Sequence, residues 1–143
     1  MSLHLSSIPH RTIYNALEKL YDGWTIPEGI DEKGLAAVDE HYRKISQKYS
    51  YDIPTPEYMI NLLGYQYLGQ DKVENAIEVF KENVVRFPDS ANVYDSLGET
   101  YEKNEQLELA KENYTKACEL VTEDDPNYDI FNDNLDRIKE LLK

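Results

Sequence analysis

Cysteine, tryptophan, proline and glycine are all scarce in this chain of 143 residues, and each scarcity removes a class of structure. The single cysteine, Cys118, excludes an internal disulfide and any cysteine-based zinc site. It lies beside Ala117 in a helical pattern and reads as a small buried hydrophobe. Six glycines and six prolines beside 30% charged residues describe long amphipathic helices rather than a turn-rich β protein. No run of about 18 apolar residues occurs, so no segment reads as membrane-spanning. A secretory hydrophobic region is also absent, but Met1-Ser2-Leu3 reads as an exogenous start, and the natural chain is expected to begin upstream. There is no glycine-rich phosphate loop and no Gly-x-Ser-x-Gly elbow, so neither nucleotide chemistry nor acyl transfer is expected of this chain by itself.

Positive charge is the next deficit. Fifteen Lys and Arg stand against twenty-eight Asp and Glu, a formal charge of −13, and residues 51–143 carry −12 of it. Such a surface repels phosphate backbones and anionic membranes, so neither nucleic acid nor a membrane is an expected partner. Most of these acids read as solvated helix faces; the sharper reading is a basic partner. The acidic stretch Glu123-Asp124-Asp125 with Asp129 and Asp133 lacks the central glycine and terminal glutamate of a calcium loop, and Pro126 interrupts it. No metal and no cofactor is expected. Asn113-Tyr114-Thr115 is a glycosylation sequon, but Tyr114 has to face the core in mid-helix, so the site is expected to be silent.

What the chain does have is an internal echo. Ile60, Leu63, Gly64, Tyr67, Ala76, Phe80 and Pro88 recur 34 residues later as Tyr94, Leu97, Gly98, Tyr101, Ala110 and Tyr114, with Thr122 in place of the proline. Each copy reads as two helices. The glycine and alanine remove bulk so that the helices approach closely, and the aromatics fill the space beside them. Thr55-Pro56-Glu57 reads as a capped helix start, Gly69 as a left-handed helix end, and Asp71 with Glu74 as a capping box for the next helix. Pro88-Asp89-Ser90 separates the copies. Asp125-Pro126 opens a last helix with Tyr128, Phe131 and Leu135 on its inner face. Upstream, Leu35, Val38, Tyr42, Ile45 and Tyr49 form one helical stripe, which is expected to cover the front of the first copy. A shorter helix is expected from Pro9 to Asp22, followed by a loop anchored by Trp24.

The period and its punctuation resemble the tetratricopeptide repeat. The resemblance implies an all-α, right-handed stack of antiparallel helix hairpins: two full repeats, a degenerate N-terminal helical pair and a C-terminal capping helix. Residues 1–30 then form an N-terminal helix and loop, residues 31–54 a degenerate half-repeat and linker, and residues 55–143 the two repeats with their cap. It also implies a non-catalytic interaction or packing module whose concave face is lined by the first helix of each repeat. The inner-face residues expected from the spacing are Tyr58, Asn61, Tyr65 and Leu68, then Asn92, Asp95, Glu99, Glu102 and Lys103. Of these, Tyr58, Asn61, Tyr65, Asn92, Asp95, Glu99 and Glu102 are the candidates to meet a partner. Members that bind chaperones grip a peptide carboxylate with cations there; Asp95 and Glu99 would repel one. The face is left to a protein or peptide partner, or to another part of the same protein.

The N-terminal segment carries a second resemblance. Ser7-Ile8-Pro9, Ile13-Tyr14-Asn15-Ala16-Leu17 and Tyr21-Asp22-Gly23-Trp24 are similar to the end of putative-esterase-type α/β-hydrolases of bacteria, some of which continue into tetratricopeptide repeats. In that family the triad histidine comes last in the chain. The resemblance implies that His4, within His4-Leu5-Ser6-Ser7-Ile8-Pro9, is the triad base of a longer parent enzyme, while this chain alone is not an enzyme. His10 fits the role less well, and His41 reads as a side chain on a helix surface. The alternative is a free-standing adaptor for a protein or peptide.

Overall fold

Apolar residues spaced three and four apart, broken by short polar stretches, give this chain one helix per stretch. A computed structural model describes residues 29–143. Within them lie α1 (Ile30–Lys33), α2 (Leu35–Tyr49), α3 (Glu57–Gly69), α4 (Val73–Arg86), α5 (Ala91–Lys103), α6 (Leu107–Leu120) and α7 (Tyr128–Leu141), and no strand occurs among the described residues. The expected helix from Pro9 to Asp22, Trp24, His4 and His10 lie outside the described residues. No described helix is long and apolar enough to cross a membrane.

The repeat is literal. Helices α3 and α5 are both 13 residues long, and α4 and α6 are both 14. Three-residue connections fold α3 onto α4 and α5 onto α6 as antiparallel hairpins. Helix α2 closes the front with Val38, Tyr42 and Ile45 buried, and α7 closes the back with Phe131, Leu135 and Ile138 buried. One apolar core runs from Val38 through Ile60, Leu63, Phe80, Leu97 and Tyr114 to Ile138.

The glycines of the echo have a more specific task than making room for alanine. A Cβ on Gly64 would lie 2.5 Å from Cζ of Phe80, and one on Gly98 would lie 2.8 Å from the ring of Tyr114. In each repeat the glycine is the floor of a slot into which the partner helix inserts an aromatic ring. Ala76 and Ala110 are fully buried, but the rings make the closest approach.

Helix ends depart from the sequence-based expectation in three places. Gly69 is the last helical residue of α3 rather than its left-handed terminator, a position taken by Asp71 with φ 60°. The Lys72 amide donates to the Tyr67 carbonyl at 2.9 Å and the Asp71 amide to that of Leu68 at 3.2 Å. Those two bonds define a Schellman ending. Glu105, with φ 58°, repeats it: the Gln106 amide donates to Tyr101 and the Glu105 amide to Glu102, both at 2.9 Å. Because Asp71 sits in that left-handed position with its side chain in solvent, it cannot cap α4, and no side chain caps that helix. Thr55 does not cap α3 either. Its hydroxyl is buried and donates to Asp39 on α2 at 2.7 Å.

That last bond belongs to a clasp between α2 and α4. Both carboxylate oxygens of Asp39 accept from Arg86, at 2.6 and 2.8 Å, while Arg86 also donates to Glu82 at 2.8 Å. The guanidinium beside it, more than the Thr55 hydroxyl, holds the Asp39 carboxyl below the usual carboxylate range. His41, expected on the helix surface, is instead buried on α2, edge-on to Tyr42 with ring centroids 5.5 Å apart. The core-facing stripe of α2 is one residue wider than the spacing indicated.

Candidate functional site

The candidate residues lie on the first helix of each hairpin, beside the glycine that receives the aromatic ring. On α3 their face is apolar and open. Tyr58 is 65% exposed, Leu62 47% and Tyr65 36%, at steps of four and three residues, so the three form one stripe along the helix. Tyr65 stands fixed within it: its ring packs edge-on against Phe80, centroids 5.2 Å apart, and its hydroxyl donates to Glu99 at 2.8 Å while accepting from the Ser96 hydroxyl at 3.3 Å. Burial pushes its phenol pKa up, and the Glu99 carboxylate pushes it further. The Tyr58 hydroxyl lies 3.5 Å from that of Tyr42 on α2. Asn61, half-buried between them in sequence, has a side-chain carbonyl oxygen with no hydrogen-bond partner.

On α5 the same face turns polar. Asn92 donates to the Glu57 carboxylate at 2.9 Å, and the Asp95 carboxylate accepts from Asn134 of α7 at 2.9 Å. Glu102 accepts from Tyr114 at 2.8 Å and also pairs with Arg137 of α7. Lys103 donates to the backbone carbonyl of Leu68 at 2.9 Å. Residues one repeat apart are therefore stitched together across the inner face: Glu57 to Asn92, Tyr65 to Glu99, Leu68 to Lys103, Glu102 to Arg137. Asp95 is the electrostatic outlier. Burial, reinforced by the Glu99 charge and only partly offset by Asn134 and Arg137, pushes its carboxyl up to about 6.

The expected partner-facing residues thus divide. Tyr58, Tyr65 and Glu99 are exposed on one connected face. Asn61, Asn92, Asp95 and Glu102 are half-buried, and all but Asn61 are engaged by side chains of the neighbouring helices. Leu68 is not on the surface: its side chain is 7% exposed and belongs to the core, and it contributes only its carbonyl to the inner face. Spacing alone missed Leu62, and Ile130 of α7, which is 54% exposed. Both are readable in retrospect, since Leu62, Ser96 and Ile130 follow one another at the 34-residue period. His4 lies outside the described residues.

Comparison with known proteins agrees with this geometry. The chain is 29% identical over 114 residues to the tetratricopeptide repeat domain-containing protein PYG7, chloroplastic, of Arabidopsis thaliana. The fold is a tetratricopeptide-repeat-like stack. The matched region is 80% of this chain but 36% of the plant protein, so the chain spans about a third of the relative it matches. No protein-family model matches the chain. Neither a hydrolase parent nor a bacterial origin gains support from this relative, whose description is that of a plant chloroplast protein with repeats.

Proposed function

We propose that this chain is a non-catalytic interaction module of the tetratricopeptide-repeat kind, and that its inner face receives a polypeptide segment of a partner protein. The observation that carries this reading is the Tyr58–Leu62–Tyr65 stripe. These three large side chains stay exposed together on one helix while the remainder of α3's apolar residues are buried, and exposed apolar side chains gathered on one face mark contact surfaces. Tyrosines anchored by their hydroxyls suit the purpose, because they present area without losing much rotamer freedom on binding. The expected candidates Tyr58, Asn61, Tyr65, Asn92, Asp95, Glu99 and Glu102 are retained, with Asn92 and Glu102 acting through their bonds to Glu57, Tyr114 and Arg137 rather than as free contacts.

The alternative origin as the tail of a serine hydrolase rests on His4 and the residues up to Trp24, and bears on a parent protein rather than on this face. A selection from a random peptide library displayed on phage tests the reading. Peptides enriched on the wild-type chain should be lost on a Leu62→Asp variant and kept on Val85→Asp, since Val85 is even more accessible but lies on α4. Enrichment indifferent to Leu62→Asp would end the proposal.

A further inference from the structure

We infer that the segment received by the inner face is cationic and apolar together, with an aliphatic or aromatic side chain on Tyr58–Leu62–Tyr65 and a lysine or arginine reaching Glu99 and Asp95. This deepens, and rests on, the reading of the inner face as a docking surface. The stripe supplies the contact area, and its surroundings choose the occupant by charge complementarity.

Immediately across from the stripe, the Tyr65 hydroxyl donates a hydrogen bond to the Glu99 carboxylate, and Asp95 lies one turn before Glu99 on α5. Two acids at that spacing repel each other. No cation among the described residues forms an ion pair with either. Lys103 is spent on the Leu68 carbonyl, and Arg137 on Glu102 and Asn134. Glu99 has a neutral phenol as its partner and Asp95 a neutral amide, with Arg137 offsetting Asp95 only in part from a distance, so the negative charge of this face is hydrogen-bonded but not fully balanced. A partner that brought a carboxylate would add a third like charge; one that brought an ammonium or guanidinium would supply what the fold withholds.

The contrast with the acidic groove on the other side of α3 is instructive. A cavity of about 430 Å³ there is lined by Asp39, Glu78, Glu82 and Tyr67 among others. Two of its three acids, Asp39 and Glu82, are already paired with Arg86. That groove has a cation seated among its acids, and it lacks the open tyrosine stripe. Charge and apolar area coincide at the inner face.

The test uses two short synthetic peptides that differ only in sign, one with leucines spaced among lysines and one with glutamates for the lysines. Amide and side-chain NMR shifts of the whole chain report where each binds. The lysine peptide should shift Tyr58, Leu62, Tyr65, Glu99 and Asp95, and its affinity should fall at least tenfold between low salt and about 0.5 M salt. Glu99→Gln should weaken it by roughly fivefold to tenfold, whereas Glu78→Gln in the outer groove should leave it unchanged. Thermal melts check that both variants are folded. Binding of the glutamate peptide to the same stripe with equal affinity would overturn the charge assignment while leaving the docking surface standing. Binding of the lysine peptide at Glu78 instead would overturn it as well. Failure of both peptides to shift the stripe would count against the docking surface itself.

Discussion

Replacing Asp95 by asparagine should make this protein more stable and a poorer binder. Burial pushes the carboxyl of Asp95 up to about 6 in the fold, from the ordinary aspartate value of 3.8. Its folded-state value is therefore raised, and the native chain holds a proton that the unfolded chain has released throughout the interval between them. Stability then rises as pH falls through 6 toward 4, and at pH 7.5 the ionised side chain is a burden on the fold. A displacement of this size is worth roughly 3 kcal/mol at most, and solvent reaching a half-buried carboxylate brings it to roughly 1–2 kcal/mol. The groups that face it are Tyr65 from α3, Glu99 on α5, Tyr114 and Cys118 from α6, and Arg137 from α7. Burial rather than any one of these dominates, so removing the charge is what matters. Asparagine keeps an oxygen to accept from Asn134 and adds an amide that Glu99 can accept. Urea denaturation of wild type and D95N at pH 7.5, 6 and 4 should show D95N ahead by roughly 1–2 kcal/mol at pH 7.5, with the lead shrinking through pH 6 and closing near pH 4. The lysine peptide should bind D95N more weakly at pH 7.5. A variant less stable than wild type at pH 7.5, or a gap independent of pH, would refute the reasoning.

Two further outcomes follow from packing and from the α2 clasp. Gly64→Ala should destabilise by roughly 2 kcal/mol, because its methyl would meet the fully buried Phe80 ring at 2.5 Å. Gly69→Ala, with nothing within 4 Å of the added methyl and a helical backbone, should instead stabilise by roughly 0.5–1 kcal/mol. Thermal or urea melts that give both substitutions the same sign would show that the aromatic slot is not what excludes a side chain at position 64. Asp39→Asn should weaken the bidentate pairing with Arg86, a partly exposed contact worth roughly 1 kcal/mol. Hydrogen exchange should quicken in α2 while α5 and α6 keep their protection, and uniform loosening of all helices would contradict a local clasp.

The helical stack was legible before any coordinates, and the reason is repetition: two copies of one pattern average out the local ambiguity of a single helix. Core residues such as Ile60, Leu63, Phe80, Leu97 and Tyr114 followed directly from it. Helix ends were read less well. Thr55, Gly69 and Asp71 each carry a local preference that tertiary contacts overrode, Thr55 by its bond to Asp39, and Asp71 by a Schellman turn that places it, rather than glycine, in the left-handed position. The inner face was half readable. Periodicity told which way Tyr58, Tyr65 and Glu99 point, but not that Leu68 lies deep or that Asn92 and Glu102 have partners on other helices. Such pairings join residues about 35 positions apart, and a one-dimensional pattern holds no information on which of several polar side chains close up. Leu62 was overlooked because an apolar residue next to a core leucine reads as core.

The stitching of the inner face has a mechanical meaning. A stack of hairpins behaves as a spring, and the bonds from Tyr65 to Glu99, from Asn92 to Glu57 and from Arg137 to Glu102 run between successive coils. They hold each hairpin against the next. Any partner that draws Glu99 away from Tyr65 exchanges a link between coils for a link to itself. Occupancy of this face would therefore be felt as stiffness and pitch along the stack, and not only as a covered surface.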